Sequence, residues 1–110
     1  MIGGIMAGQV KATFFLPLVD EDGRDLAAEI SEVEARCYRA FGAWTLTGYF
    51  KGAWRMRSGE RRLDTSAVYS VVVPRSRLSE IETILRDFKA KTKQEAIYLE
   101  VEHRVDLRLL

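Results

Sequence analysis

The chain has 110 residues, of which 47% are hydrophobic and 30% charged, and its formal net charge is +1. This is the size and composition of one globular domain. The near-zero net charge gives no general basis for binding nucleic acid or an anionic membrane. The one cysteine, Cys37, excludes an internal disulfide and fits a reducing compartment, so we expect a cytoplasmic protein.

The N-terminal segment is apolar, but it is short, interrupted by glycines and free of leading basic residues. It therefore reads neither as a signal peptide nor as a membrane span. We expect residues 1–9 to be a flexible N-terminus and residues 10–110 to form a single domain.

The first half of the domain predicts a strand, a helix and a second strand. Residues 10–18 are mostly apolar, and after a loop of turn-forming residues the apolar positions of 25–41 recur every three or four residues, which is typical of an amphipathic helix. Gly42 lies where a helix ends in the left-handed conformation. A strand over residues 44–55 follows, and Gly48 and Gly52 within it indicate a β-bulge or a close backbone approach.

The second half predicts a strand, a helix and a strand. A hairpin leads into a strand over residues 63–73, and a second helix begins near Ser76 or Ser79. Ser79 and Glu82 have the spacing of a capping box, in which each side chain accepts one free amide of the first turn. Residues 96–105 then alternate between apolar and polar positions, as a half-buried strand does.

This order of elements predicts an α+β, ferredoxin-like βαββαβ domain with a four-stranded antiparallel sheet and two helices on one face. Its central strands, the first and the third, are also the two that fail to alternate, which indicates burial on both sides. Because two helices cover one face only, we expect a second copy to cover the other, in a homo-oligomer, either a dimer or a trimer. The predicted interface residues are Phe15, Tyr49, Val68 or Tyr69, Tyr98 and Glu100.

Chain direction brings the loop after the first strand, the hairpin tip and the end of the second helix to one edge of the sheet. Basic residues gather there, which predicts a site for a small anionic ligand. The proposed donors are Arg24, Arg55, Arg57, Arg61, Arg62 and Lys93. Asp20, Glu21, Asp22 and Asp25 lie at the same edge, so the alternative is a set of solvated salt bridges.

The sequence gives no good support for nucleic-acid binding, metal binding or catalysis. The hairpin interleaves aromatic and basic residues, but the third strand lacks the aromatic–basic motif of RNA-binding sheets, so nucleic acid is disfavoured as a partner. The acidic loop around Asp22 fails the spacing of a calcium loop. Cys37 falls on the buried stripe of the first helix, and His103 falls at the rim of the last strand. We therefore expect no catalytic residue, no metal and no cofactor.

Several short motifs along the chain resemble motifs of known protein families. Pro17-Leu18, Asp22-Gly23, the Gly48-to-Trp54 hairpin strand and Gln94-Glu95 before Tyr98 are similar to small bacterial and phage proteins of uncharacterised function. That resemblance implies a ferredoxin-like fold and no particular activity. The helix that leads to Gly42 and the strand entry beyond it also resemble PII-type signalling proteins, which implies trimers that bind nucleotides between subunits.

The residues favour a homo-oligomeric interaction or small-ligand-binding module without catalysis. One alternative is an anion- or nucleotide-binding regulator of the PII type. Another is a small dimeric ferredoxin-like barrel enzyme with a substrate pocket between the sheet and the helices. An open apolar cavity that ends at Tyr69, Tyr98 or His103 would favour the enzyme.

Overall fold

The computed structural model describes residues 8–110, and within them it has four strands and two α-helices. The elements are β1 (Gln9–Pro17), α1 (Ala27–Phe41), β2 (Thr45–Arg55), β3 (Arg61–Pro74), a 3-10 turn (Arg75–Arg77), α2 (Leu78–Thr92) and β4 (Leu99–Glu102). The strands form one antiparallel sheet in the order β2-β3-β1-β4, with the central pair as predicted. The α+β, ferredoxin-like arrangement is confirmed.

Residues 1–7, most of the predicted flexible N-terminus, lie outside the described residues, and β1 already begins at Gln9. Because proline has no backbone donor, the sequence predicts that the first strand either ends or bulges at Pro17, and in the structure it ends there. Within the described part of the chain, neither helix is long and apolar enough to cross a membrane.

The core lies between the sheet and the two helices. Every second residue of β1, namely Val10, Ala12, Phe14 and Leu16, points into it, and none is more than 1% exposed. The intervening residues of β1 are mostly half-buried on the opposite side, which we call the outer face. The helices meet the sheet with apolar side chains spaced three and four residues apart: Ile30, Val33 and Cys37 from α1, and Ile81, Ile84, Leu85 and Phe88 from α2.

The ends of α1 follow the sequence closely. Asp25 accepts the amide of Ala27 through Oδ1 at 2.8 Å, which satisfies one free donor of the first turn. At the other end Gly42 is left-handed, and its amide donates to the carbonyl of Tyr38 at 2.8 Å, as predicted for a glycine in this position.

The capping box predicted for α2 is wrong. A 3-10 turn after Pro74 leads directly into α2, so the helix begins at Leu78. Ser79 therefore lies inside the first helical turn rather than before it. No side chain caps this end. Instead Arg77 pairs with Glu80 at 2.6 Å, and the hydroxyl of Thr83 donates to the carbonyl of Ser79.

β4 is shorter than the predicted 96–105, because it pairs only with Lys11–Phe14 of β1. Beyond the strand, the guanidinium of Arg75 donates to the carbonyl of His103, so that carbonyl is bonded to a side chain rather than to β1. The predicted alternation is confirmed: Leu99 and Val101 pack against the core.

A β-bulge in β2 decides which side chains reach the outer face. The register shifts between Leu46 and Gly48, and the hydroxyl of the extra residue, Thr47, donates to the carbonyl of Val68 at 3.0 Å. After this shift Tyr49 lies opposite the core residue Ala67, on the helix side, and Phe50 takes the outer face. The expectation that Tyr49 faces outward is therefore wrong.

Tyr69 is also wrong as an outer-face candidate, since it belongs to the core and stacks on Phe14 at 5.7 Å between ring centroids. Val68, the other residue of the pair, faces the outer side of the sheet. It lies opposite Phe15 and is only 2% exposed, although it is not part of the helix-side core.

Candidate functional site

Three aromatic rings from three different strand segments meet on the outer face. Phe15 of β1 lies in the middle, with the ring of Tyr98 at 4.7 Å and that of Phe50 edge-on at 6.2 Å between centroids. The bulge turns the side chain of Phe50 to the outer face. A Cβ added at Gly48 would lie only 3.1 Å from the Phe50 ring, so the absence of a side chain at Gly48 leaves space for that ring. The cluster depends on that local irregularity of β2.

The cluster forms one wall of an open groove of about 210 Å³, which we call the aromatic groove. The residues that matter for its chemistry are Phe15, Phe50, Trp54, Met56 and Tyr98, with Glu21, Lys51, Arg62, Asp64 and Glu95 around them. Phe50, Trp54 and Tyr98 are each about half exposed. Large apolar rings gathered in an exposed concavity are typical of a binding surface.

The groove exists because the β2–β3 hairpin is longer than its neighbours. β1 pairs with β3 only over Ser66–Pro74, so the distal half of the hairpin, from Lys51 to Thr65, extends past the end of β1. Trp54 and Met56 lie on this extension, and the segment that leads into β4 lies opposite. The space between these two parts is the groove.

Glu95 connects the two sides. Its Oε1 accepts the backbone amide of Arg57 at 3.0 Å and also contacts the guanidinium of that residue, and its Oε2 accepts the indole N–H of Trp54 at 3.2 Å. These bonds, led by the amide of Arg57, hold the pKa of the Glu95 carboxyl below its usual range. One carboxylate thus fixes the hairpin tip and the orientation of Trp54.

We expect Glu95→Ala to free the hairpin tip, because three contacts to one carboxylate are lost together. Amide hydrogen exchange of residues 56–60 should become faster and Trp54 fluorescence should change. In the wild type the same loosening should appear in acid: the lowered pKa means that the contacts are present above about pH 4.3, the ordinary glutamate value, and are lost as the pH falls through the folded pKa.

Glu82→Ala is the matched control, since among residues 8–110 Glu82 pairs with Arg86 alone, on the surface of α2. It should leave the exchange of residues 56–60 unchanged. Equal exchange in wild type and Glu95→Ala would show that Glu95 does not hold the tip.

The charged rim of the groove is balanced toward acid. Arg62, with a side chain only 15% exposed, lies between Asp64 at 2.8 Å and Glu21 at 3.4 Å, so its charge is already matched. Two carboxylates thus share one guanidinium, and the charge of Glu95 is matched by Arg57, which leaves one negative charge in excess. Lys51 also lines the groove, but the register of β2 places its side chain on the helix side with that of Tyr49. The rim therefore favours hydrogen-bond donors and cations over anions.

Three of the six predicted anion donors, Arg24, Arg57 and Arg62, are held in separate ion pairs. Arg24 contacts Asp20 at 3.2 Å and Glu29 at 3.1 Å, Arg57 contacts Glu95, and Arg62 contacts the two carboxylates named above. Arg55 and Arg61 lie opposite each other near the hairpin tip, and Lys93 follows the end of α2. These contacts agree with the salt-bridge alternative, and the anion site stays a prediction.

Of the predicted interface residues, Phe15, Val68, Tyr98 and Glu100 share the outer face, and Tyr98 donates its hydroxyl to Glu100 at 2.8 Å. Tyr49 does not join them. Phe15 and Tyr98 belong to the aromatic groove as well. The structure thus brings the predicted interface and the groove onto one surface.

Candidate nucleophiles and bases lie elsewhere. Cys37 is buried, and burial raises the pKa of its thiol to about 11, so it remains protonated near neutral pH. His103 is exposed after β4. On the helix side, Tyr69 donates its hydroxyl to Glu34, and burial together with that carboxylate raises the pKa of Tyr69.

No group of histidine, cysteine, aspartate and glutamate within residues 8–110 is arranged to hold a metal. The acidic loop instead forms a turn, in which Asp20 Oδ1 accepts the amides of Asp22 and Arg24, each at 2.9 Å. This is the turn-forming role that its composition indicates.

Sequence reasoning missed Glu95 as a site residue, and it considered the hairpin aromatics Phe50 and Trp54 as a base-stacking surface but preferred a structural role for them. The aromatic–basic interleaving of the hairpin was the available signal for the two rings. No local signal marks Glu95, because its partners Trp54 and Arg57 are far away in the chain.

No family model matches this chain, and no curated protein matches it. Among solved structures, a phage SAM lyase in complex with S-methyl-5′-thioadenosine is 14% identical, with a TM-score of 0.71 over 94% of this chain and 88% of that one. CutA from Synechococcus elongatus PCC7942 is 10% identical, with a TM-score of 0.64 over 96% and 87%. At these identities the likeness establishes the fold alone, in agreement with the ferredoxin-like, PII-like prediction. The resemblance to an uncharacterised bacterial and phage family stays a prediction.

Proposed function

We propose that this protein is a homo-oligomeric module that binds a small ligand in the aromatic groove without catalysing a reaction. The observation that carries the proposal is the groove itself, an exposed concavity lined by Phe15, Phe50, Trp54 and Tyr98 on the face without helices. Apolar concavities with a few oriented polar groups are the common form of a small-molecule site.

Two features support assembly through the same face. First, Phe50 and Tyr98 remain about half exposed beside the buried Val68, which leaves apolar area for a second copy to cover. Second, β2 is an edge strand of eleven residues that is exposed along most of its length. A long exposed edge can pair with a strand of another chain. A partner on this face would contact Phe15 and Tyr98 and so form part of the groove wall.

Sedimentation velocity over a concentration series tests the assembly. Wild type should be a dimer or trimer, and Phe50→Glu, which places a charge on the outer face, should sediment as a monomer with an unchanged circular dichroism spectrum. The control is Tyr38→Glu, because Tyr38 is 64% exposed on α1 and away from this face. A wild type that is monomeric at high micromolar concentration would contradict the proposal.

The lyase likeness favours one second candidate, an enzyme that acts on a nucleoside thioether or sulfonium compound in the same groove. The groove does end at Tyr98, although on the outer face rather than between sheet and helices. Incubation with S-adenosylmethionine followed by chromatography separates the two candidates. A binding module leaves the compound intact, and an enzyme releases S-methyl-5′-thioadenosine at a rate that Trp54→Ala reduces.

A further inference from the structure

We infer that the aromatic groove selects a planar, amino-bearing heterocycle that carries no phosphate. This inference rests on the proposed function, namely that the groove binds a small ligand, and it names the chemical class of that ligand. The class follows from three properties of the groove: its size, its aromatic walls and the charge of its rim.

The size fits one flat ring system. A cavity of roughly 150 Å³ accommodates a benzene molecule, and the groove has about 210 Å³. This is enough for a fused bicyclic ring, while a substituent such as a sugar would extend toward the open side. A longer apolar chain would have to leave the groove.

The walls favour a flat ligand. Phe15, Phe50 and Tyr98 form a contiguous aromatic surface, and Trp54 is held on the hairpin side by its bond to Glu95. Aromatic side chains stack on any of the bases, since every base has a π-face. Because Trp54 is fixed in the free protein, little ordering is needed when a ring binds.

The rim sets the charge of the ligand. Arg62 already engages Oδ1 of Asp64, so Oδ2 is left to accept a hydrogen bond from an amino group. A phosphate brought to the same rim would approach Glu21 and Asp64, which share the single guanidinium of Arg62, whereas Glu95 is already paired with Arg57. Lys51 follows Phe50 in β2, so its side chain lies on the helix side of the strand. Like charges brought together in a partly desolvated groove repel each other, so the one carboxylate in excess at this rim disfavours a phosphate.

Intrinsic fluorescence can report on the groove alone. The protein has two tryptophans. Trp54 lines the groove, whereas Trp44 packs edge-on against Tyr69 of the core. In Trp44→Phe, every change in emission therefore originates from Trp54. The converse variant, Trp54→Phe, keeps the other tryptophan and serves as the control that should show no ligand-dependent change.

The probes are adenosine, inosine and adenosine monophosphate, titrated into Trp44→Phe. Adenosine should quench Trp54, and its dissociation constant should be at least about tenfold lower than that of the monophosphate. Inosine, in which an oxo group replaces the amino group, should bind more weakly than adenosine. Glu21→Gln removes one negative charge from the rim at a half-exposed position. It should therefore reduce the difference between the dissociation constants of adenosine and adenosine monophosphate.

The outcomes separate the inference from the proposed function. Tighter binding of the monophosphate than of adenosine would overturn the inference while ligand binding itself stood, and it would support the predicted anion site. Equal binding of adenosine and inosine would remove the role of the amino group. An absence of quenching by all three probes, with no thermal shift from any of them, would overturn both.

Discussion

Replacing Phe14 by alanine should lower the free energy of unfolding by about 3–5 kcal/mol, the range measured for large-to-small changes at buried aromatic sites. Phe14 is 1% exposed in the centre of β1 and stacks on Tyr69, so truncation removes apolar burial and a ring contact and leaves a cavity. Chemical denaturation followed by circular dichroism measures the loss. Phe14→Leu, which keeps more of the volume, should lose less and remain folded if the alanine variant does not.

The adjacent residue provides the matched control. Phe15→Ala changes the same amino acid one position along β1, on the outer face, where the side chain is half-buried. At low protein concentration Phe15→Ala should lower the free energy of unfolding clearly less than Phe14→Ala does. At high protein concentration the difference between the two losses of stability should become smaller, because assembly would bury Phe15. Equal losses for both variants at low concentration would contradict the assignment of the core to the helix side.

The second large effect concerns the hydroxyl of Tyr69. It donates to the carboxylate of Glu34 from a residue only 3% exposed, and hydrogen bonds to charged groups contribute about 1.5–3 kcal/mol. Tyr69→Phe should lower the free energy of unfolding by an amount in that range. A double-mutant cycle with Glu34→Ala measures the part that belongs to the pair.

The same residue predicts a pH dependence. Because the pKa of Tyr69 is raised in the folded state, the native protein holds this proton more tightly than the unfolded chain does. The stabilisation is therefore complete below about pH 10, the ordinary tyrosine value, and is lost as the pH rises further. Tyr69→Phe has no hydroxyl to titrate, so it should not show the part of the stability loss at high pH that comes from Tyr69. Tyr38→Phe, at an exposed position, should match wild type in stability, and a Tyr69→Phe pH profile equal to that of wild type would contradict the prediction.

The order of elements could be predicted because its signals are local. The apolar stripe of α1, the helix-ending Gly42, the break at Pro17 and the alternation of β4 each depend on a few neighbouring residues. The central position of β1 and β3 then follows from the topology. None of these signals involves a contact between distant parts of the sequence.

The groove depends on distant contacts, which is why its main parts were missed. Glu95 has no local pattern that marks it, and its role appears only when the hairpin tip folds against it. The capping box failed for a different reason, since the preceding 3-10 turn moved the helix start and left Ser79 in the wrong position. For the anion site, residue type indicated where basic side chains gather but not which carboxylates would pair with them.

The bulge at Thr47 has a consequence for how this surface can change over evolutionary time. Every residue of β2 beyond it owes its side of the sheet to one additional amino acid. Loss of a single codon there would turn Phe50 and Trp54 toward the helices and bring Tyr49 and Lys51 outward, without any substitution. A chain one residue shorter at this point would keep the fold but present a different chemistry, so strand length at the bulge should separate relatives that share the groove from those that do not.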